Sequence, residues 1–338
     1  MCDPRRWFVR RGRLASSSDD EADRLFPWLD SGPFPEPWAE EPIANPEDVK
    51  QGTNVGWPTL YAHSLRLGLR GILVGLRRRD PGLLKLALNR VLVPLDPWRY
   101  FELGEIARNR PAGRVLDVSS PKLLMSALDG RGSSKWTGID LFQDEINGWL
   151  KLRPELDLRI QDARALSEPD GSYDAVVCVS VVEHIAPDGD SRALSEMWRV
   201  LRPGGVLHLT TNVAAEAHDL FEAERVWGEA SDHVGGRVFF EHRYSETTLR
   251  ERLLGRPWQV DRCEYVVERR PLTAVLAKFA PWSYLAGLLL PLVAPRNVRR
   301  VPSPRSIPAG QHGVVYLQLR KPDGTAAVRA VHDDGESN

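Results

Sequence analysis

The chain predicts an α/β fold built on a doubly wound parallel sheet. Two observations carry that expectation. Between Gly113 and Thr211 the segments GRVLDVSSP, WTGID, RIQDA, SYDAVVCVSVVEHI and LRPGGVLHLTT succeed one another, separated by helix-like stretches. Such apolar runs, alternating with helices, are how strands buried on both faces of a parallel sheet read. Four of the runs end in a small or acidic residue. That sets polar side chains along the carboxyl edge, where open α/β sheets grip their ligands.

The bulk properties are permissive. With 338 residues and a formal net charge of −1, the chain buries a sizeable core and shows no electrostatic pull toward nucleic acid. Its three cysteines, Cys2, Cys178 and Cys263, have no metal-ligand spacing and make no disulfide framework. Cys178 lies in an apolar run and reads as a buried, inert thiol. The N-terminus MCDPRRWFVRRGR has no apolar segment after its charges, so the expected location is cytoplasmic, with peripheral membrane contact as an added expectation.

Taken in order, residues 1–55 are rich in proline, acidic residues and isolated tryptophans and show no helical or strand period; a disordered or irregular arm is expected. Residues 56–110 read as a helical extension. Within 61–79, Leu65, Leu69, Ile72 and Leu76 share one face and Arg66, Arg70 and Arg77 an adjacent one. Such a helix either packs on the domain or lies on an anionic membrane. Gly68, Gly71 and Gly75 weaken the helix and share a face permitting close approach. The sheet domain is expected over 111–322. Within it SETTLRERLL reads as a helix, WQVDRCEYVVE and GVVYLQLRK as strands, and residues 270–310 between those strands as an insertion. The insertion holds FAPWSYLAGLLLPLVAP, shorter than the roughly 20 apolar residues of a spanning helix and broken by prolines. A lid, a packed helix or an interfacial anchor remain, and with RNVRRVPSPR beside it, 279–300 is a second candidate for membrane contact. Residues 323–338 form a polar, flexible tail.

Several strand-end residues can carry chemistry. Asp117 ends the first strand and suits an ammonium. Ser119, Ser120 and Pro121 turn into a helix, with Ser120 as N-cap and Pro121 as first helical residue. Asp140 ends the second strand, where an acidic group commonly holds the hydroxyls of a ribose. Asp162, followed by Ala163, suits an exocyclic amine such as that of adenine. Together they describe a nucleoside bearing an amino-acid-like tail. The bland alternative for each is a capped helix or a structural carboxylate.

YDAVVCVSVVEHI and MWRVLRPGGVLHLTT, with the Arg-Pro-Gly-Gly turn, make the run from Trp98 to Lys321 resemble a class I S-adenosylmethionine-dependent methyltransferase with a methyltransferase type 11-like domain. The resemblance implies a Rossmann-like sheet of seven strands, mostly parallel, with the last strand antiparallel. It also implies S-adenosyl-L-methionine as cofactor. Asp117 and the loop Ser119, Ser120 and Pro121 would hold its methionine part, Asp140 and Leu141 the ribose, and Asp162 and Ala163 the adenine. Ser180 would line the gap to the acceptor. His184 is the candidate general base. Relatives that bind a divalent metal carry a glutamate where this chain has Ser180, so no metal is expected. The implied acceptor is a small molecule, lipid or glycan, methylated on a hydroxyl, amine or carbon. The family's glycines in the first loop are replaced by Ser119 and Pro121, which leaves a catalytically silent scaffold as an alternative. An NAD-dependent oxidoreductase is a further alternative, against which the absence of G-x-G-x-x-G argues.

Overall fold

The computed structural model describes residues 56–130, 134–185, 188–222, 233–234, 236–278 and 287–323. The arm 1–55, residues 279–286 of the apolar insertion and the tail from 324 onward lie outside the described residues.

Three helices open the described chain: α1 Trp57–Arg78, α2 Pro81–Leu92 and α3 Arg99–Asn109. Asp80 caps α2, its carboxylate accepting from the Leu83 amide at 3.0 Å. α1 buries Leu60, Ser64, Leu67, Gly68, Gly71 and Gly75, and Leu69, Leu73 and Leu76 stand in solvent. The expected apolar face is thus the outward one, and the glycine face is the packed one. The reason is steric: a Cβ on Gly68 would come within 2.8 Å of the Ala87 carbonyl of α2, and one on Gly71 within 2.8 Å of the Ala87 Cβ. Glycine lets the two helices approach closer than any side chain permits.

The next strands along the chain are β1 Gly113–Val118, β2 Ser134–Asp140, β3 Leu158–Ile160, β4 Tyr173–Val179 and β5 Leu201–Val213. Helices α4 Leu123–Leu128, α5 Gln143–Leu152 and α6 Gly189–Val200 lie between them. Beyond β5 come β6 His218–Glu222, β7 His233–Val234, β8 Arg237–Arg243, α7 Glu246–Leu253 and β9 Gln259–Glu268. The chain closes with α8 Leu272–Lys278, α9 Leu290–Asn297, β10 Val298–Val301 and β11 Gly313–Arg320. The main sheet has the order β10-β9-β11-β5-β4-β1-β2-β3. β1 pairs in parallel with both β2 and β4, so the strand order reverses between β1 and β4. β11 runs antiparallel to β5 and β9.

Two features depart from expectation. The sheet has eight strands, because the insertion contributes the edge strand β10, antiparallel to β9. The segment after β5 folds into a second, three-stranded sheet, β6-β8-β7. The main sheet separates two apolar layers, one containing Leu116, Val176, Cys178 and Leu209, the other Val115, Ala175, Val177 and Tyr316. Cys178 is fully buried, and burial raises its thiol pKa well above the usual value. α1 is joined to α4 by His63 Nε2 and Ser126 Oγ at 2.7 Å, so the helical extension packs against the side of the sheet that carries the strand-end carboxylates.

Two glycines give opposite predictions. Gly68→Ala forces a Cβ against a backbone carbonyl, and the overpacking, of order 1–3 kcal/mol, outweighs the roughly 1 kcal/mol gained in helix propensity. Gly148 in α5 meets only Leu86 Cδ2 at 3.7 Å, so Gly148→Ala keeps the propensity gain. Urea denaturation midpoints will fall for the first variant and rise for the second.

Candidate active site

Asp117 ends β1 with its side chain fully buried, and Asp140 ends the neighbouring β2 with 4% of its surface exposed. Between them lies Lys122, itself 1% exposed. Its ammonium donates to Asp117 Oδ1 at 2.6 Å, to the Ile139 carbonyl at 3.0 Å and to the Ser120 carbonyl at 3.1 Å. Asp140 Oδ2 is 3.8 Å away. Three acceptors use every proton an ammonium has. Burial pushes the Asp117 carboxyl upward, with Lys122 opposing it. Burial also lifts Asp140 to about 6, again against Lys122. Sequence reasoning missed Lys122, because a lysine beside a proline turn reads as solvated.

The loop Ser119–Pro121 is arranged differently from a capped helix entry. Ser119 adopts φ 49°, a left-handed conformation that favours glycine, and its amide donates to the Ile139 carbonyl at 3.0 Å. Ser120 is not the N-cap. Its Oγ accepts from the Val179 amide at 2.8 Å, which ties the loop to β4. α4 begins two residues later than expected, at Leu123, with Lys122 at the cap position and no side-chain cap bond. Pro121 precedes it, half-buried.

Toward the outer strands, Leu141 is exposed beside Asp140, and Asp140 Oδ1 accepts from the Phe142 amide at 3.1 Å. Asp162 is bound by Arg164, whose Nε lies 3.0 Å from both carboxylate oxygens and whose terminal nitrogen lies 2.7 Å from Oδ2. This pairing lowers the Asp162 pKa, and it engages the carboxylate expected to read an amine. Ala163 is buried next to it.

Across the strand-order reversal lies a polar cluster at the ends of β4 and β5. Ser180, at φ 49°, donates to Glu102 of α3, which also accepts from Thr210 Oγ1 at 3.0 Å and pairs with Arg99. Glu102 is fully buried. Neither Glu102 nor Arg99 was singled out in the sequence, since both lie in a helix outside the strand pattern. Glu183 is also fully buried and accepts from Thr211 Oγ1 at 2.9 Å. Burial, with Glu241 adding to it, pushes Glu183 to about 8. Glu241 of β8 pairs with Arg243 at 2.9 Å and accepts from Asn212 at 3.0 Å.

His184 sits beneath the second sheet, its Nδ1 2.8 Å from the Phe240 carbonyl. A carbonyl only accepts, so Nδ1 carries the proton and the neutral ring keeps its lone pair on Nε2. Burial lowers the His184 pKa, which favours that neutral form. The residues after β5 are engaged otherwise. His242 pairs with Asp219 at 2.6 Å, Tyr244 donates to Asp190 at 2.8 Å, and Arg252 grips Asp190 at 2.8 and 2.9 Å. The first bond lies within the second sheet, the Tyr244 bond fastens the end of β8 to α6, and the Arg252 pair fastens α7 to α6. His218 Nδ1 lies 3.0 Å from the Glu216 carbonyl. Among the described residues no group of three or more His, Cys, Asp or Glu has a metal-holding arrangement. An open cleft of about 490 Å³ lined by Asp170, Trp198, Arg199 and Lys321 lies at the opposite ends of β4 and β5, away from this chemistry.

Glu183 makes stability depend on pH. Its folded pKa is raised above the unfolded value of about 4.5, so its contribution is whole below pH 4.5 and is lost as pH rises through about 8. One pKa unit corresponds to roughly 1.4 kcal/mol, so the loss amounts to a few kcal/mol at most. Glu183→Gln, neutral throughout, flattens the decline between pH 4.5 and 8, as read from denaturation midpoints.

Residues 116–209 match the family model described as a methyltransferase domain. A ubiquinone biosynthesis O-methyltransferase from Xanthomonas axonopodis pv. citri (strain 306) is 37% identical over 112 residues, 31% of this chain and 46% of that one. A phosphatidylethanolamine N-methyltransferase from Cereibacter sphaeroides is 31% identical over 133 residues, 38% of this chain and 64% of that one. The chain thus spans about half the length of the curated relatives it matches. A solved structure of a SAM-dependent methyltransferase from Methanosarcina mazei matches with TM-score 0.41 at 17% identity, over 64% of this chain and 97% of that one. Its likeness carries no argument about activity. The matched segment runs from β1 through β5, across both strand-end clusters, and gives this part of the chain a methyltransferase domain, consistent with the class I S-adenosylmethionine-dependent methyltransferases.

Proposed function

We propose that this chain transfers a methyl group from S-adenosyl-L-methionine to a hydroxyl, amine or carbon of a small-molecule or lipid-like acceptor. The observation that carries the reading is the pair of buried carboxylates, Asp117 and Asp140, side by side on adjacent parallel strands next to the strand-order reversal. The donor set fits the cofactor's chemistry: Asp117 already holds an alkylammonium, and Asp140 with Leu141 suits a ribose. Ser119, Ser120 and Pro121 belong to the methionine end, Asp162 and Ala163 to the adenine end, and Ser180 to the gap between cofactor and acceptor. When bound, the cofactor supplies an activated methyl group on sulfur.

The chain's own part is orientation and exclusion of water. Glu102, held by Ser180, Thr210 and Arg99, fixes the floor of the acceptor side. The second sheet roofs it through Phe240 and His184. Neutral His184 would take the proton from an acceptor hydroxyl or ammonium at Nε2. Similarity to an O-methyltransferase of ubiquinone biosynthesis and to an N-methyltransferase of phosphatidylethanolamine supports a small or lipid-like acceptor.

Membrane contact forms part of the reading. No described helix is long and apolar enough to cross a membrane. α1, however, turns Leu69, Leu73 and Leu76 outward beside exposed Arg66, Arg70 and Arg77. In the segment 279–300, Leu289, Leu292 and Val293 are exposed near Arg296. Apolar side chains flanked by arginines suit an anionic lipid surface.

Calorimetric titration with S-adenosylhomocysteine tests the first part. Binding is expected, weakened about tenfold or more in Asp140→Ala, as loss of a charged hydrogen-bonding group implies. NAD is expected not to bind. Failure of the sulfur nucleoside to bind at all would favour the silent-scaffold alternative. Sedimentation with vesicles tests the second part. Anionic vesicles should carry the protein down and neutral ones should not, and the double variant Leu69→Asp, Leu73→Asp should stay in the supernatant. Equal sedimentation of the two proteins would remove the membrane reading.

A further inference from the structure

We infer that Lys122 is a built-in occupant of the position meant for the cofactor's α-ammonium, so that the methionine end of the ligand binds only when Lys122 gives up Asp117. The inference rests on the proposed function and deepens it, by naming the residue that sets which part of the ligand is recognised.

The chemistry of the two groups is the same. Each is a primary ammonium on an aliphatic carbon, and Asp117 is the carboxylate available to it at the end of β1. In the structure one oxygen of that carboxylate is taken: Lys122 Nζ lies 2.6 Å from Asp117 Oδ1 and is saturated by the Ser120 and Ile139 carbonyls, while Asp117 Oδ2 is buried without a hydrogen-bond partner. The site is 1% exposed at Lys122 and fully buried at Asp117, so the pair is in direct contact away from bulk solvent. A second ammonium drawn to the same carboxylate would stand close to the Lys122 charge in a medium that screens poorly, so the tail gains little there while Lys122 stays in place.

The neighbouring backbone reinforces the exclusion. Where a ligand's tail needs bare backbone, this chain presents the side chains of Ser119 and Pro121, followed by Leu123, which is 1% exposed. Ser120 is no freer, since its hydroxyl accepts from the Val179 amide and donates toward the Val118 and Val177 carbonyls. The nucleoside end is arranged differently. Asp140 stands 3.8 Å from Lys122 and keeps its own bond to the Phe142 amide, and Leu141 beside it is exposed. A nucleoside is therefore admitted at Asp140, while an amino-acid tail gains no contact at Asp117 until Lys122 withdraws.

The test compares S-adenosylhomocysteine with 5′-methylthioadenosine, the same nucleoside thioether without the amino-acid tail, on the intact chain and on Lys122→Ala. Calorimetry should find that the unaltered protein binds the two within about threefold of each other, the tail adding nothing. Lys122→Ala should bind S-adenosylhomocysteine about tenfold or more tighter than the parent while its affinity for methylthioadenosine stays unchanged. A parent protein that prefers S-adenosylhomocysteine by about a hundredfold, or a folded Lys122→Ala with unaltered affinity for it, overturns the inference and leaves the proposed function standing. Binding of neither nucleoside to either protein overturns both. Should Lys122→Ala fail to fold, the parent's preference between the two ligands still decides.

Discussion

A buried ammonium on a buried carboxylate organises the carboxyl edge of the sheet at β1 and β2. Lys122 and Asp117 meet at 2.6 Å with almost no solvent around them. Charges in such a place persist only when paired and fully hydrogen-bonded, and removal of one partner typically costs about 3–5 kcal/mol. Lys122 meets that demand by reaching across the ends of two strands, to the Ser120 carbonyl after β1 and the Ile139 carbonyl in β2. The same contact fixes where α4 starts, because a lysine drawn down onto the strand ends cannot also let the helix begin at Pro121. The start of the helix and the closed loop both depend on where one cation sits, and the same cation moderates the rise that burial forces on the Asp140 pKa.

The opposite half of the edge is held by a carboxylate from outside the matched segment. Glu102 comes from α3, and its oxygens collect Ser180, Thr210 and Arg99. This explains why the helical extension packs so closely on the domain. α3 has a polar role in the site. α1 supports it from behind through the Trp57–Tyr100 edge contact, with ring centres 5.1 Å apart, and α2 is drawn against α1 by the glycine face. Glycines that weaken a helix in isolation are the reason this layer can close.

Burial on two faces made the central strands legible in the sequence. β1, β2, β4 and β5 announce themselves as apolar runs ending in Asp117, Asp140, Ser180 and Thr211, and the doubly wound parallel class is legible from them. β3, only three residues long, was placed by Asp162 rather than by its own pattern. The strand β10 and the second sheet were not legible, because their stability comes from pairing with distant partners such as Glu268 and Tyr265 and not from a local period. The outward face of α1 was misread for a related reason: its leucines are regular, but the packing is decided by the absence of side chains at Gly68, Gly71 and Gly75. Lys122, Arg164 and Glu102 were missed in the site. Each is a charged residue whose partner is fixed by the fold, and sequence spacing does not separate such a residue from a solvated one.

The two halves of the edge solve the problem of buried charge in opposite ways, and the difference bears on chemistry. On the Asp117 side the charge is kept and matched by Lys122. Beyond the strand-order reversal three carboxylates, Glu102, Glu183 and Glu241, crowd into a region with two close arginines, Arg99 and Arg243. Full ionisation there would leave one negative charge without a partner. Glu183 resolves the excess by holding its proton up to about pH 8, and Glu102 and Glu241 keep their arginines. A neutral carboxyl just past β4 is a hydrogen-bond donor, so at neutral pH a protonated Glu183 stands next in sequence to His184, which burial keeps neutral. Under the proposed methyl transfer an acceptor hydroxyl would use that combination, one group to orient its lone pair and another to take its proton. Burial alone, acting differently on two neighbouring residues, provides both.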